Sequence, residues 1–305
     1  MLCTRWCTVV GARLDRLAVQ ANAFAQRSDL IPYKHAHYYL ALLILLMGLA
    51  FWPTYLSVLP DASGAVHIHS STASIWIALL TFQSWAIHQG HRAWHRALGI
   101  SSLAIFPLFF VGSILIAHQM ATEYASGDFF NSRFGTRFAA FDLVGVFALG
   151  LLFWSALRWR RNVQLHTRWM LGTVFFLLEP VFARLLPIYV PGFQPTPPEF
   201  SRLTLNVELT SAGALLLALW LAWKHRKHGR PWLIIASLLL LQMVFFSTVG
   251  LWKPWQPLVS AFAAVPAPFV FGFGLTLGAI VSWHGWNSVP RRPQQPLSPA
   301  SAVEA

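Results

Sequence analysis

The dominant pattern along the chain is a series of long apolar stretches separated by short polar segments. A membrane-spanning helix needs about 20 mostly apolar residues to cross about 30 Å of hydrocarbon. Stretches of this kind lie near residues 37–58, 69–88, 97–117, 139–157, 168–190, 203–223, 232–251 and 262–283. The sequence therefore predicts an all-α, polytopic membrane helix bundle with about eight transmembrane helices.

Composition and charge agree with this interpretation. Apolar residues make up 56% of the chain and charged residues only 10%, whereas about 25% of the residues in a soluble domain are charged. If the N-terminus is cytoplasmic, all but five of the 22 Lys and Arg residues lie on the cytoplasmic side, as the positive-inside rule requires. Both termini are therefore predicted to be cytoplasmic. The net charge of +12 indicates attraction to anionic lipid headgroups rather than to nucleic acid.

The two ends of the chain differ from the apolar stretches. Residues 1–36 lack an unbroken apolar core and are predicted to form a cytoplasmic amphipathic arm rather than a signal peptide. Residues 37–285 are predicted to form the transmembrane bundle. Residues 286–305 are rich in Pro and Ser and are predicted to form a disordered cytoplasmic tail.

Glu179 is the residue that most clearly indicates a functional site. It lies within an otherwise apolar run from Trp169 to Val190 that contains one further charge, Arg184. An ionisable side chain near the centre of a membrane helix costs about 2.5 kcal/mol or more to insert, so it normally faces a polar partner or a wet cavity. Pro180 follows directly, and a kink there would open room beside the acid.

Other polar residues fall at a similar depth in the outer half of the predicted bundle. In the second helix, successive residues among His69, Thr72, Trp76 and Gln83 are 3, 4 and 7 positions apart, so all four lie on one face. The candidate ligand-binding residues are Glu179, Arg184, Glu208, Asn206, Asp142, His69, Trp76, Gln83 and His118. Two interpretations stay open. Glu179 or Glu208 pairs with Arg184 and holds the helices together, or the residues bind a polar headgroup, a cation or a proton.

Histidines form the second signal, since nine of the 12 are predicted to be cytoplasmic. His88, His91 and His95 share one stripe if their helix is continuous, and the candidate metal ligands are these three and His166. A single haem or one transition metal between His95 and His166 is the predicted cofactor site. The alternative is that the histidines are caps at the ends of helices.

The second and third helices each carry a histidine at both ends, which resembles the transmembrane cytochromes b. These histidines are His69 and His88, and His95 and His118. Their separations correspond to about 28 and 34 Å along a helix and turn away from a common face. Two stacked haems in the respiratory arrangement are therefore not expected.

Several short motifs resemble a family of bacterial multi-pass membrane proteins that has no assigned activity. They are His69 followed by Trp76 and Gln83, the segment from His95 to Gly99, the segment from His166 to Met170, the segment from Ala183 to Leu185 and a basic segment around Gly229. The similarity covers about residues 65–235. Ala97, Thr167 and Trp169 depart from the family pattern. The resemblance implies a shared fold, a bacterial inner-membrane location and recurring positions at His69, His95, His166 and Arg184.

Two functional hypotheses follow from these residues. The first is a binding or redox protein in which His95 and His166 hold haem or a metal and the outer pocket takes an amphiphilic small molecule such as a quinone. The second is a proton- or cation-coupled carrier or sensor centred on Glu179, with interfacial histidines. No phosphate-binding loop, nucleophile elbow or zinc-protease motif is present in the sequence. The sequence therefore does not assign an enzymatic reaction.

Overall fold

The computed structural model describes residues 31–194 and 200–289, and within these ranges it contains helices and no strand. The predicted all-α class is therefore confirmed for the described residues. The α-helices are α1 (Ala36–Phe51), α2 (Gly64–His88), α3 (Arg92–Ala125), α4 (Asn131–Arg158), α5 (Val163–Tyr189), α6 (Ser201–Lys224), α7 (Arg230–Ser247), α8 (Gln256–Ala263) and α9 (Ala267–Asn287). Short 3₁₀ helices lie at Leu56–Asp61, Arg226–His228, Val249–Leu251 and Lys253–Trp255. Nearly all of the predicted arm and most of the predicted tail lie outside the described residues.

Seven of the described helices, α2 to α7 and α9, are long and apolar enough to cross a membrane. The predicted polytopic bundle is thus confirmed, and α1, which covers the first predicted span, is shorter than these seven helices. We call an end of a helix inner when the charge distribution assigns it to the cytoplasm, and outer when it is opposite. With a cytoplasmic N-terminus, the inner ends are the starts of α1, α3, α5 and α7.

Helix α1 is shorter than its predicted span because Pro53 ends it. Proline lacks the backbone N–H that a helix interior needs, and α1 has only 16 residues, or about 24 Å. Its two ends nevertheless lie far apart in depth. The guanidinium of Arg168, at the inner end of α5, lies 5.2 Å from the Tyr33 ring, and that of Arg184, in the outer part, lies 4.6 Å from the Phe51 ring. Helix α1 therefore runs parallel to α5 across most of the same thickness.

The last predicted span, 262–283, is divided in the structure. Helix α8 ends at Ala263, and α9 begins at Ala267 with Pro266 as its N-terminal flanking residue and Pro268 in its first turn. Proline is favoured at the start of a helix because its missing N–H would have no partner there. Helix α3 is longer than predicted, at 34 residues.

Close helix contacts are made at glycines. Helix α3 packs against α2, α4 and α9, and α4 and α6 both pack against α7. A Cβ atom placed on Gly278 of α9 would lie 2.8 Å from the Cα of Pro107 in α3, and one on Gly172 of α5 would lie 2.5 Å from the Cδ1 of Ile235 in α7. Glycine allows helix backbones to approach in a membrane, where van der Waals packing drives helix association.

A cluster of aromatic side chains joins three helices at one depth. Trp76 of α2, Phe106 and Phe109 of α3, and Phe153 of α4 are all fully buried, and the rings of Phe106 and Phe153 stack at 4.0 Å. We call these four residues the aromatic cluster. The indole Nε1 of Trp76 donates a 3.0 Å hydrogen bond to the Thr173 hydroxyl of α5. This bond places Trp76 and Thr173 at the same level of the bundle.

Candidate functional site

Polar residues collect on both sides of the aromatic cluster. The outer cluster consists of His69 from α2, Asp142 from α4, and Glu179 and Arg184 from α5. The inner histidine cluster consists of His37, His88, His95 and His166. The two clusters draw their residues from α1 to α5, so one bundle positions both.

The depth of the outer cluster follows from the bond between Trp76 and Thr173. Glu179 lies six residues beyond Thr173, or about 9 Å towards the outer end of α5. His69 lies seven residues before Trp76, or about 10 Å towards the outer end of α2. Both side chains therefore lie at a similar height above the aromatic cluster, as the positions in the sequence predict.

Arg184 connects the members of the outer cluster electrostatically. It interacts with Glu179, Asp142 and His69, and the carboxyl groups of Glu179 and Asp142 also interact with each other. Within residues 31–194 and 200–289, no ion pair within 4.0 Å joins Arg184 to either acid. Instead, its Nη1 donates a 2.8 Å hydrogen bond to the carbonyl oxygen of Pro180. The direct ion pair considered from the sequence is therefore not formed.

The outer cluster has unused hydrogen-bonding capacity. Glu179 is only 6% exposed, so it faces protein rather than the lipid tails. His69 Nδ1 is buried and has no hydrogen-bond partner among the described residues. Asp142 is half-buried and the side chain of Arg184 is exposed. Part of the cluster therefore lies at the surface of the bundle, and a buried polar atom without a partner, such as His69 Nδ1, is costly unless a ligand or water satisfies it.

Glu208 and Asn206 do not join the outer cluster. Glu208 accepts a hydrogen bond from the Ser247 hydroxyl and interacts electrostatically with Arg137. Arg137 also donates to the carbonyl oxygen of Phe246 at 3.1 Å, which joins α4 to α7. Asn206 is fully buried and donates to a loop carbonyl at 2.9 Å. These contacts connect α4, α6 and α7, a structural role that the sequence did not reveal for Arg137.

Three further predicted pocket residues have other surroundings. His118 Nε2 lies 2.8 Å from the carbonyl oxygen of Val265, so it connects α3 to the segment between α8 and α9. Trp76 belongs to the aromatic cluster. Gln83 lies towards the inner end, with its Nε2 3.6 Å from the position of a Cβ on Gly99. His69, Trp76 and Gln83 on α2 thus all face protein. They do not form one pocket, because His69 lies on the outer side of the aromatic cluster and Gln83 on the inner side.

The inner histidines are held by backbone carbonyl groups. His95 Nδ1 lies 3.3 Å from the carbonyl oxygen of Gln83, and His166 Nδ1 lies 2.9 Å from that of Ala156. His88 Nδ1 likewise contacts the oxygen of Ser84 at 2.7 Å. Electrostatic interactions run in a series from His37 to His88, from His88 to His95 and from His95 to His166.

These contacts determine what the imidazoles can bind. A ring that donates its Nδ1–H to a carbonyl group presents Nε2 as an acceptor or metal ligand, and metal-binding histidines usually have such a second contact. His88 Nε2 is buried without a partner among the described residues. His91 does not belong to the inner histidine cluster. The centroid of its ring lies 5.3 Å from that of Trp85 and 5.4 Å from that of Trp94.

The donor set distinguishes haem from a free metal ion. Within the described ranges, no three His, Cys, Asp or Glu residues are arranged to hold a metal ion. A metal bound by protein ligands alone usually needs three or four of them, whereas haem iron takes only one or two axial ligands. Two histidines match the number of axial ligands that haem iron takes, but not the number that a protein-bound metal ion usually needs.

The four positions that resemble the bacterial family divide between the two clusters. His69 and Arg184 lie in the outer cluster, and His95 and His166 lie in the inner histidine cluster. No protein-family model, curated protein or solved structure matches the chain.

Proposed function

We propose that this multi-pass membrane protein binds haem through His95 and His166 at its inner end and an amphiphilic, quinone-like molecule at the outer cluster, in a redox role. The observation that carries the proposal is the anchoring of both histidines. Each holds its Nδ1 on a backbone carbonyl of a neighbouring segment. This contact orients the ring and leaves Nε2 for an axial bond.

The outer cluster has the groups that a quinone-like headgroup needs. Arg184 and His69 supply N–H donors for carbonyl oxygens, and Glu179 and Asp142 can accept or deliver a proton. The ring of Phe109 stacks with that of His69 at 6.4 Å and supplies an apolar wall. Haem supplies reversible one-electron transfer. The aromatic cluster lies between the two sites, so protons handled by the outer residues stay separate from the inner end.

A visible absorption spectrum tests the haem assignment. Protein purified in detergent from cells supplied with haem should show a Soret band. The His95→Ala and His166→Ala variants should each lose or shift this band, because each removes an axial donor. His91→Ala is the control, since His91 packs on Trp85 and Trp94. A colourless wild-type preparation would contradict the proposal.

A second candidate is a proton- or cation-coupled carrier or sensor centred on Glu179. The observation that favours it is the pair of acids, one buried and one half-buried, since Glu179 and Asp142 interact across α4 and α5 while neither forms a direct ion pair with Arg184. Intramembrane carboxyl groups of this kind often belong to ion pathways.

Proton flux into proteoliposomes under an imposed membrane potential tests this candidate. Glu179→Gln should abolish the flux, because the amide cannot exchange a proton. Glu208→Gln is the matched control, since Glu208 is bonded to Ser247 in another cluster. Equal flux in Glu179→Gln and wild type would remove the residue on which the candidate depends.

A further inference from the structure

A cavity with a strongly basic lining opens at the inner end of the bundle. It is a shallow, open cavity of about 330 Å³ between the start of α5 and the connection from α6 to α7. Its lining residues are Gln164, Arg168, Lys224, His225, Arg226, Lys227 and His228. None of them is acidic, so the cavity concentrates positive charge without a counterion from its own walls.

Arg168 makes this cavity more than a solvated charged surface. Its side chain is only 2% exposed, and its Nε is buried without a hydrogen-bond partner among the described residues. Its Nη1 donates to the carbonyl oxygen of Gln164 at 2.5 Å and to Oε1 of the same residue at 2.7 Å. A buried guanidinium with neutral partners needs an anion, because an uncompensated buried charge is unfavourable.

The loop that completes the cavity packs closely against α6. A Cβ atom on Gly229 would lie 2.7 Å from the carbonyl oxygen of Ala222, so the chain turns back tightly onto α6. Lys224 Nζ lies 4.6 Å from the Trp220 ring. Lys227 makes no hydrogen bond within the described ranges and so remains available to a ligand.

The positive potential of the cavity also acts on His225. Burial, followed by the charges of Arg168 and Lys224, lowers the pKa of His225 from its usual value. An anion in the cavity would offset the effect of these two cations. The same charges that repel a proton from His225 therefore attract a negatively charged ligand.

We propose that this cavity is a binding site for one phosphate group, carried by an anionic phospholipid headgroup or by a small phosphorylated solute. Arg168 and Lys227 supply charge-assisted hydrogen bonds to the phosphate oxygens. Basic pockets between membrane helices on the cytoplasmic side suit such headgroups. None of the residues that line this cavity belongs to the proposed haem site or to the outer cluster.

Thermal unfolding of the full chain in a zwitterionic detergent tests the proposal. Phosphatidylglycerol should raise the melting temperature in a saturable manner, and phosphatidylcholine should not. The Lys227→Gln variant should bind about tenfold more weakly, which corresponds to the loss of one charge-assisted hydrogen bond. Arg92→Gln is the matched control, because Arg92 is an exposed inner residue that does not line the cavity.

Inorganic phosphate, titrated in the same assay, distinguishes the two sources of the ligand. Stabilisation by phosphatidylglycerol alone assigns a lipid headgroup, and stabilisation by inorganic phosphate as well assigns a free phosphorylated solute. Lys227 lies on the surface loop, so its replacement does not threaten folding. Equal affinity in Lys227→Gln and Arg92→Gln, or no stabilisation by either ligand, would overturn the site.

Discussion

At the scale of single residues, the outer cluster has two acids and one strong base that share a region of low dielectric. Charges in such a region interact over longer distances than in water. Arg184 therefore stabilises the ionised forms of Glu179 and Asp142 without contacting either carboxylate. Its own Nη1 donates a hydrogen bond to the carbonyl oxygen of Pro180. A ligand at the proposed outer site would therefore not have to break an ion pair with Arg184.

A double-mutant cycle measures this interaction. Arg184→Gln should lower the unfolding free energy more than Glu179→Gln, because it leaves two acids without their cation. The double variant should be more stable than the sum of the two losses predicts, by about 1 kcal/mol. Chemical unfolding in mixed micelles measures the four free energies. Strict additivity would show that Arg184 and Glu179 act independently.

The bond between Trp76 and Thr173 supports a second prediction at this scale. Thr173→Val removes the hydroxyl acceptor and leaves a buried indole N–H unsatisfied, so it should cost about 1–3 kcal/mol of stability. Thr167→Val on the same helix is the control, because that exposed hydroxyl bonds only to the carbonyl of Val163 in its own helix. The same unfolding assay applies. Equal stability of the two variants would mean that the bond to Trp76 contributes little.

At the scale of elements, the helices pack at positions that only small residues can occupy. Gly278→Ala places a methyl group against the backbone of Pro107 in α3, and overpacking of this kind costs about 1–3 kcal/mol. Gly272→Ala on the same helix has no heavy atom within 4 Å of its new Cβ. We therefore expect Gly278→Ala to lower the melting temperature and Gly272→Ala to leave it unchanged. Similar melting of both variants would contradict the contact between α9 and α3.

The sequence predicted the positions of the helices better than it predicted which side chains contact each other between helices. The length and apolar character of α2 to α7 follow from composition, because the bilayer imposes them. The end of α1 at Phe51 could have been derived from Pro53. The rotation of each helix about its axis could not, because residues of similar depth can face different partners. Depth alone therefore grouped Glu208 with Glu179, whereas the structure places Glu208 beside Arg137.

At the scale of the whole molecule, charge and structure combine into one topology. If consecutive spans cross the membrane in alternate directions, the positive-inside rule decides which end faces the cytoplasm. The inner histidine cluster and the basic cavity lie on the cytoplasmic side in this orientation, and the outer cluster faces the other leaflet. This topology depends most on α1. Among the described helices that are assigned to a membrane crossing, α1 is the only one shorter than a full span.

Labelling of single cysteines with a membrane-impermeant maleimide tests this topology in cells that carry a variant without Cys3 and Cys7. Ser126→Cys, beyond the outer end of α3, should react in intact cells. Arg92→Cys and Lys34→Cys should react only after permeabilisation, because Arg92 begins α3 and Lys34 precedes α1 at the inner surface. Both are exposed in the structure, so burial does not account for a lack of reaction. If Lys34→Cys reacted in intact cells while Arg92→Cys did not, α1 would not cross the membrane. Arg168 and Tyr33, whose contact joins the inner ends of α5 and α1, would then have to separate.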